Sequence, residues 1–285
     1  CHDRRMRWLA AMLLLAACDG GPGPVDGSAL ADGGGGPPGI PVPRAALPVG
    51  ADAALRLGPG ADLDVASAIT QDEAGAVTLV FESFDEGFTR GELWSTTSAD
   101  GAAFQVARPI GFTPRPFEAS PSFVDGALVF AGADDLESPP TLYLGRVGAP
   151  EALPPVSGLA SLLSWPRLQA TPGGVALVFR DGGGAARLAT GADVRSLGAP
   201  RAIAAEAAAM VTLGVFGDGS LAASYQRPVG AEPMVSFVVR SSDGEAWTEP
   251  ARVTDASPDV HDTTLVGRSD GGLDLYYAYP PSAAG

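Results

Sequence analysis

Short apolar runs, each entered through a turn that ends in glycine, recur five times along this chain. They are Ala76–Phe81 after Gly75, Ala127–Phe130 after Gly126, Val175–Phe179 after Gly174, Ser220–Tyr225 after Gly219, and Leu273–Tyr279 after Gly272. The steps between these glycines are 51, 48, 45 and 53 residues. Nothing in the runs has the 3.6-residue spacing of a helix, and their length and turn flanks predict strands. Each unit reads as four antiparallel strands, a to d. The first unit predicts strands near Val65–Ile69, Ala76–Phe81, Glu92–Thr97 and Gln105–Ile110. The second predicts Ser120–Val124, Ala127–Ala131, Thr141–Arg146 and Ala152–Val156. The third predicts Arg167–Ala170, Val175–Phe179, Ala186–Thr190 and Pro200–Ala204, and the fourth Met210–Val215, Ser220–Gln226, Val235–Arg240 and Thr248–Val253. The b-strands are apolar on both sides, as befits a sheet packed between two others. A strand-rich repeat of roughly 40–50 residues of this kind predicts an all-β protein, a β-propeller of four-stranded blades.

The fifth unit offers only Thr263–Val266 and Leu273–Tyr279 before the sequence stops at Gly285. A propeller must close its ring or expose an edge. Two explanations stand open: a truncated six- or seven-bladed ring, or a fifth blade completed by N-terminal strands from Ala45–Leu57. The domain is therefore expected over residues 51–285, incomplete at its C-terminus.

The N-terminal part reads differently. Met6 has the character of a translation start, with Arg7 as a short positive region and Trp8–Leu15 as an apolar run too short to span a bilayer. Residues 1–17 are expected to be a secretory signal peptide. Leu15-Ala16-Ala17-Cys18 resembles the bacterial lipobox, which implies cleavage before Cys18, lipidation of that cysteine, and an exported protein anchored in the cell envelope. Several acyl chains on one residue are what stable anchoring needs. Residues 18–50, with four consecutive glycines at Gly33–Gly36 and repeated prolines, read as a tether that cannot offset its ordering entropy.

Composition narrows the partners. The 285 residues contain 18 basic and 33 acidic side chains, a net charge of −15, and every basic residue among them is arginine. Phosphate backbones are bound by clustered Lys and Arg, so a nucleic-acid partner is excluded. Only Cys18 would remain after cleavage, so no intramolecular disulfide is expected. The single histidine left after the expected cleavage, His261, and the lack of an Asp-x-Asp-x-Asp-Gly loop predict no metal site, and no cofactor is expected.

Two matching turns separate strands c and d: Ser98-Ala99-Asp100-Gly101-Ala102-Ala103-Phe104 and Ser241-Ser242-Asp243-Gly244-Glu245-Ala246-Trp247. Ser-x-Asp-Gly-x-x-aromatic resembles the Asp-box of sialidase-like propellers, one residue shorter than its usual form. The second unit, Glu118-Ala119-Ser120-Pro121-Ser122-Phe123-Val124-Asp125-Gly126, resembles a TolB-type propeller repeat. Both resemblances imply fold far more than activity. A sialidase would bring an arginine triad whose first member lies in Phe/Tyr-Arg-Ile-Pro. That motif is absent, and Arg115, in Thr113-Pro114-Arg115-Pro116, does not match it, so no catalytic residue carries over.

In such a blade the b–c and d–a connections share one rim, where ligand sites are expected. The candidate binding residues there are Arg115, Asp134, Asp135, Trp165, Arg167, Arg180, Asp181 and Arg227, with Asp262, His261 and Glu118 as candidates for catalysis. The reading that follows is a non-catalytic lipoprotein whose rim binds a glycan or a protein. The alternatives are a glycoside hydrolase that uses rim carboxylates in pairs, and an envelope scaffold with an apolar docking patch.

Overall fold

The computed structural model describes residues 63–278 apart from 86, 102, 146–149, 206–208, 230–231, 255–260 and 269–271. The signal, lipobox and tether segments lie outside the described residues. All described strands belong to the unit Leu57–Gly285.

Four meandering sheets follow one another. The first blade comprises β1 (Leu63–Gln71), β2 (Val77–Phe84), β3 (Gly91–Ser98) and β4 (Arg108–Pro109). The second comprises β5 (Phe117–Val124), β6 (Ala127–Ala133), β7 (Thr141–Gly145) and β8 (Glu151–Ala152). The third holds β9 (Arg167–Thr171), β10 (Gly174–Arg180), β11 (Ala186–Gly191) and β12 (Arg201–Ala204). The fourth holds β13 (Ala209–Val215), β14 (Leu221–Val229), β15 (Glu232–Ser241) and β16 (Ala251–Arg252). Among the described residues the fifth contributes the pair β17 (His261–Gly267) and β18 (Leu273–Ala278). The first strands of successive blades lie side by side. This is a β-propeller.

Local chemistry explains the hairpins. Asp125 and Gly126, at φ 49° and 73°, make a two-residue turn that pairs Val124 with Ala127; Asp-Gly suits this geometry because both positions need positive φ. In the first blade Asp72 accepts hydrogen bonds from the Ala74 and Ala76 N–H groups at 2.9 and 2.8 Å. The apolar b-strands are then buried on both faces. Val178 and Phe179 face opposite sides of one sheet, and both are fully buried.

A separate apolar layer fills each junction. Val80 and Leu93 pack with Leu128 and Phe130 between the first two blades. Val129, Leu144, Leu168 and Phe179 join the second to the third. Val178 and Leu188 meet Val211, Tyr225 and Phe237 between the third and fourth, and Ala222 and Val238 meet Leu265 before the fifth. Each large side chain buried this way stabilises by about 1.5–3 kcal/mol. The first two blades are also stitched by one parallel bridge, Gly91 to Phe117, with the Gly91 N–H donating to the Pro116 carbonyl at 3.0 Å. A Cβ on Gly91 would lie 2.7 Å from the Phe84 ring, so only glycine allows this approach.

The first strands share a further irregularity. Pairing slips between Val65 and Ser67, Ala119 and Ser122, Ala209 and Thr212, and His261 and Thr264. Ser120 and Met210 sit inside these slips at φ 54° and 40°, and Trp165, just before β9, sits at φ 48°. The register sets the slips at Ser120 and Met210 opposite equivalent aromatics, Phe130 and Tyr225. Bulges of this kind re-aim side chains and gather near functional sites.

Candidate functional site

The rim where first strands begin and second strands end, the b–c rim, carries the polar residues singled out above. In the second blade the Thr113–Pro116 segment holds Arg115. Its Nε donates to the Tyr143 hydroxyl at 3.1 Å, and its terminal nitrogen pairs with Asp134 at 2.8 Å. The Tyr143 hydrogen bond comes first in raising the Arg115 pKa, partly opposed by burial and then aided by Asp134. Gly132 makes room for this pair, since a Cβ there would sit 2.9 Å from the Tyr143 ring.

Glu118 is the second residue of β5, not part of a loop as its sequence context suggested, and it is buried. Its carboxylate accepts the Thr113 N–H at 2.5 Å, which fixes the segment that presents Arg115. A second buried carboxylate, Glu82 on β2, accepts the Ser120 N–H at 2.7 Å, across the junction between the first two blades. The sequence reading missed Glu82 and Tyr143. The signal for Glu82 was a lone carboxylate directly after the b-strand aromatic, where the other blades carry Ala131, Arg180, Gln226 and Ala278.

The remaining rim carboxylates have local duties. Asp135 accepts from Ser138 Oγ at 2.9 Å and from the Ser138 and Glu137 N–H groups, and the Ser138 hydroxyl is the main cause of its lowered pKa. Asp181 accepts from the Gly183 and Ala185 N–H groups, both at 2.9 Å, and from Arg187 at 2.6 Å. Burial raises its pKa, but those three donors outweigh burial and hold it below the ordinary value. Trp165 caps a single 3-10 turn, Leu162–Ser164, and is half-buried. Arg167 opens β9 as the predicted strand Arg167–Ala170 requires, whereas Arg180 closes β10 and Arg227 lies within β14, so these two belong to strands and not to loops. His261 and Asp262 fall in β17, but their side chains lie outside the described residues.

At the opposite rim the two Ser-x-Asp-Gly turns are alike. Asp100 accepts from Ser98 Oγ and from the Ala103 N–H, while Asp243 accepts from Ser241 Oγ and from the Glu245 and Ala246 N–H groups. Gly101 and Gly244 take φ 74° and 76°. Phe104 and Trp247 are half-buried, and Trp247 packs on the layer between the third and fourth blades. Two clefts lie on this side, one of about 820 Å³ lined by Phe216, Arg240 and Trp247, the other of about 360 Å³ by Pro172, Phe216 and Arg268. Neither touches the buried carboxylates. We locate the candidate site at the b–c rim because side chains from distant sequence positions converge there, whereas the clefts are lined chiefly by turn residues. Among the described residues no group of three His, Cys, Asp or Glu side chains could hold a metal ion. No described helix is long and apolar enough to cross a membrane.

The fold is shared with glycan-acting propellers. The chain is similar to a Hadza microbial sialidase, Hz136, at TM-score 0.56 and 16% identity, covering 77% of this chain and 51% of that one. It thus spans about half the length of that sialidase. It is also similar to the α-L-arabinanase of Penicillium chrysogenum complexed with arabinobiose, at TM-score 0.53 and 15% identity, covering 75% and 74% of the two chains. The GH93 α-L-arabinofuranosidase of Fusarium graminearum, also solved with arabinobiose, gives 0.54 and 12% over 75% and 74%. No protein-family model matches the sequence, and no curated protein does. The likeness is one of fold: a sialidase-like β-propeller.

Proposed function

We propose that this protein is an exported lipoprotein, anchored through Cys18, whose propeller binds a glycan at the b–c rim without cleaving it. The observation that carries the reading is the rim of the second blade. There Arg115 is held by Tyr143 and Asp134 on a segment braced from below by buried Glu118. Sugars are recognised by donors and acceptors fixed before binding, and fixing them in advance lowers the entropic cost of association. Arg115 keeps donors beyond the two bonds it makes, and Asp134 remains largely exposed. The arabinobiose complexes of propellers with this fold support a saccharide as the ligand. The lipobox resemblance and the Gly/Pro-rich segment support the anchor and a tether that holds the rim away from the membrane.

Calorimetric titration of the propeller with arabino-oligosaccharides and sialyl-oligosaccharides tests the reading. A saccharide that binds, is recovered intact, and loses at least tenfold in affinity with Arg115→Ala is the expected outcome. No binding across both classes would overturn it. Incorporation of labelled palmitate, abolished by Cys18→Ser, tests the anchor.

A glycoside hydrolase is the second reading, favoured by two buried carboxylates on adjacent blades at one rim, Glu82 and Glu118. Glycosidases act through such pairs. On that reading Glu118→Gln removes turnover while binding persists. On the first there is no turnover to remove.

A further inference from the structure

The charges on the strands are unevenly shared around the propeller. Strands β1–β8 carry five carboxylates, Asp64, Glu82, Glu92, Glu118 and Glu151, and a single arginine, Arg108. Strands β9–β16 carry seven arginines and one carboxylate, Glu232. In a chain of net charge −15 this is a local reversal of sign.

Three of those arginines face one junction. Arg167 pairs in register with Val178, and Arg180 lies two residues beyond Val178, so strand alternation sets all three on one face of the third blade. Val178 packs in the layer against the fourth blade, which fixes the face as the one turned toward β13–β16. On the fourth blade Tyr225 belongs to the same layer, and Arg227, two residues on, therefore faces back toward the third. Its guanidinium lies 4.7 Å from the centroid of Phe237, a member of that layer. All three sit at the b–c end of their strands and are half-buried.

Like charges crowded at a partly desolvated junction repel, and buried charges are normally paired. For Arg167 and Arg180 the pairing is missing. Among the described residues neither Arg167 nor Arg180 makes a salt bridge, and Arg180 Nε is buried with no hydrogen-bond acceptor. Such an orphaned donor calls for an explanation, and an absent anion is one. The carboxylates of the third blade do not supply it: Asp181 is committed to Arg187, on the opposite face.

We propose that the b–c end of the junction between the third and fourth blades is an oxyanion-binding site, with Arg167 and Arg180 as donors and Arg227 closing it from across the junction. The ligand carries a carboxylate, sulfate or phosphate group, the chemistries an arginine fork matches in pairs of parallel hydrogen bonds. The assignment stands on the strand register and does not depend on the saccharide reading of the second blade.

The test is titration of the whole propeller with inorganic sulfate, inorganic phosphate and glucuronate, with glucose as the neutral control, at low and moderate salt. The expected result is saturable binding of at least one oxyanion and none of glucose, weakening as salt rises, with at least a tenfold loss in Arg180→Gln and in Arg167→Gln. Arg180→Lys keeps the charge but not the fork and should recover little of that loss. Preference for glucuronate over sulfate and phosphate identifies a carboxylate ligand; the reverse identifies a tetrahedral one. As a control for folding, the anion should raise the wild-type melting temperature and leave that of Arg180→Gln unmoved. Failure of all three anions, or affinities unchanged by both Gln variants, overturns the proposal. If arabino-oligosaccharide binds while no oxyanion does, this site falls and the second-blade reading stands.

Discussion

Replacing Glu82 tests the architecture of the rim most directly. Its side chain is fully buried, and its carboxylate accepts the Ser120 N–H at 2.7 Å, from a residue held at φ 54°. The bulge in β5 turns that N–H away from the ladder of its own sheet, so the acceptor must come from the neighbouring blade. A buried hydrogen bond contributes about 0.5–1.5 kcal/mol, and loss of the acceptor leaves a buried donor unsatisfied at a cost of about 1–3 kcal/mol. Glu82→Ala adds the cost of the space vacated between the first two blades, for a total of about 3–5 kcal/mol. Glu82→Gln keeps an amide oxygen in nearly the same place and should cost about 1–2 kcal/mol. Urea unfolding at neutral pH measures both. For a domain of this size each kcal/mol corresponds to about 2–4 °C in melting temperature, so the alanine variant should melt at least about 6 °C lower. If Glu82→Ala lies within about 0.5 kcal/mol of wild type, Glu82 does not hold the bulge and the reasoning is refuted.

Other outcomes follow from the same geometry. Gly174, at φ 136°, has no room for a Cβ, which would lie 2.2 Å from the Gly191 carbonyl oxygen; Gly174→Ala should cost about 1–3 kcal/mol or more by urea denaturation. Gly126, at φ 73° but with open space around it, gives the contrast: its alanine variant should lose only about 1–2 kcal/mol, the left-handed penalty alone. Asp181 has a depressed folded-state pKa, so the stability it contributes is present above the ordinary carboxylate range and is lost as pH falls through the folded value. Melting followed from pH 6 to pH 2 should therefore fall less steeply in Asp181→Asn than in wild type, and parallel curves would count against the Arg187 and backbone contacts as its cause. Asp243→Ala should destabilise by releasing the Glu245 and Ala246 N–H groups, with Asp243→Asn intermediate, read from the melting temperatures of the two variants.

Much of this fold was legible because the signal is local. The glycine turns and apolar b-strands foretold β2, β6, β10, β14 and β18 to within three residues at each end. The outer strands were overdrawn. Gln105–Ile110 reduces to Arg108–Pro109, because a strand paired on one side only needs just the two pairs Trp94–Pro109 and Ser95–Arg108. The rim was harder. Glu118, Arg180 and Arg227 look like loop residues because the apolar pattern ends there, yet the ladder continues past them, as in the pairing of Glu118 with Gly132 and of Arg227 with Val235. Glu82 could not be interpreted from its own neighbourhood at all, since the group it serves is 38 residues away in another blade.

The kinks at Ser120, Trp165 and Met210 write the inner edge of the rim in main-chain torsions. A frame recorded that way is indifferent to most of the side chains it displays. The three positions already hold a hydroxyl, an indole and a thioether without altering the frame. Ser120 is buried, but substitution at the half-buried Trp165 and Met210 trades ligand preference against little else, provided the newcomer tolerates a left-handed backbone, which favours Asn, Asp and Gly. For an engineer these are the positions to randomise first, and for a lineage they are where specificity can drift while the scaffold stays put.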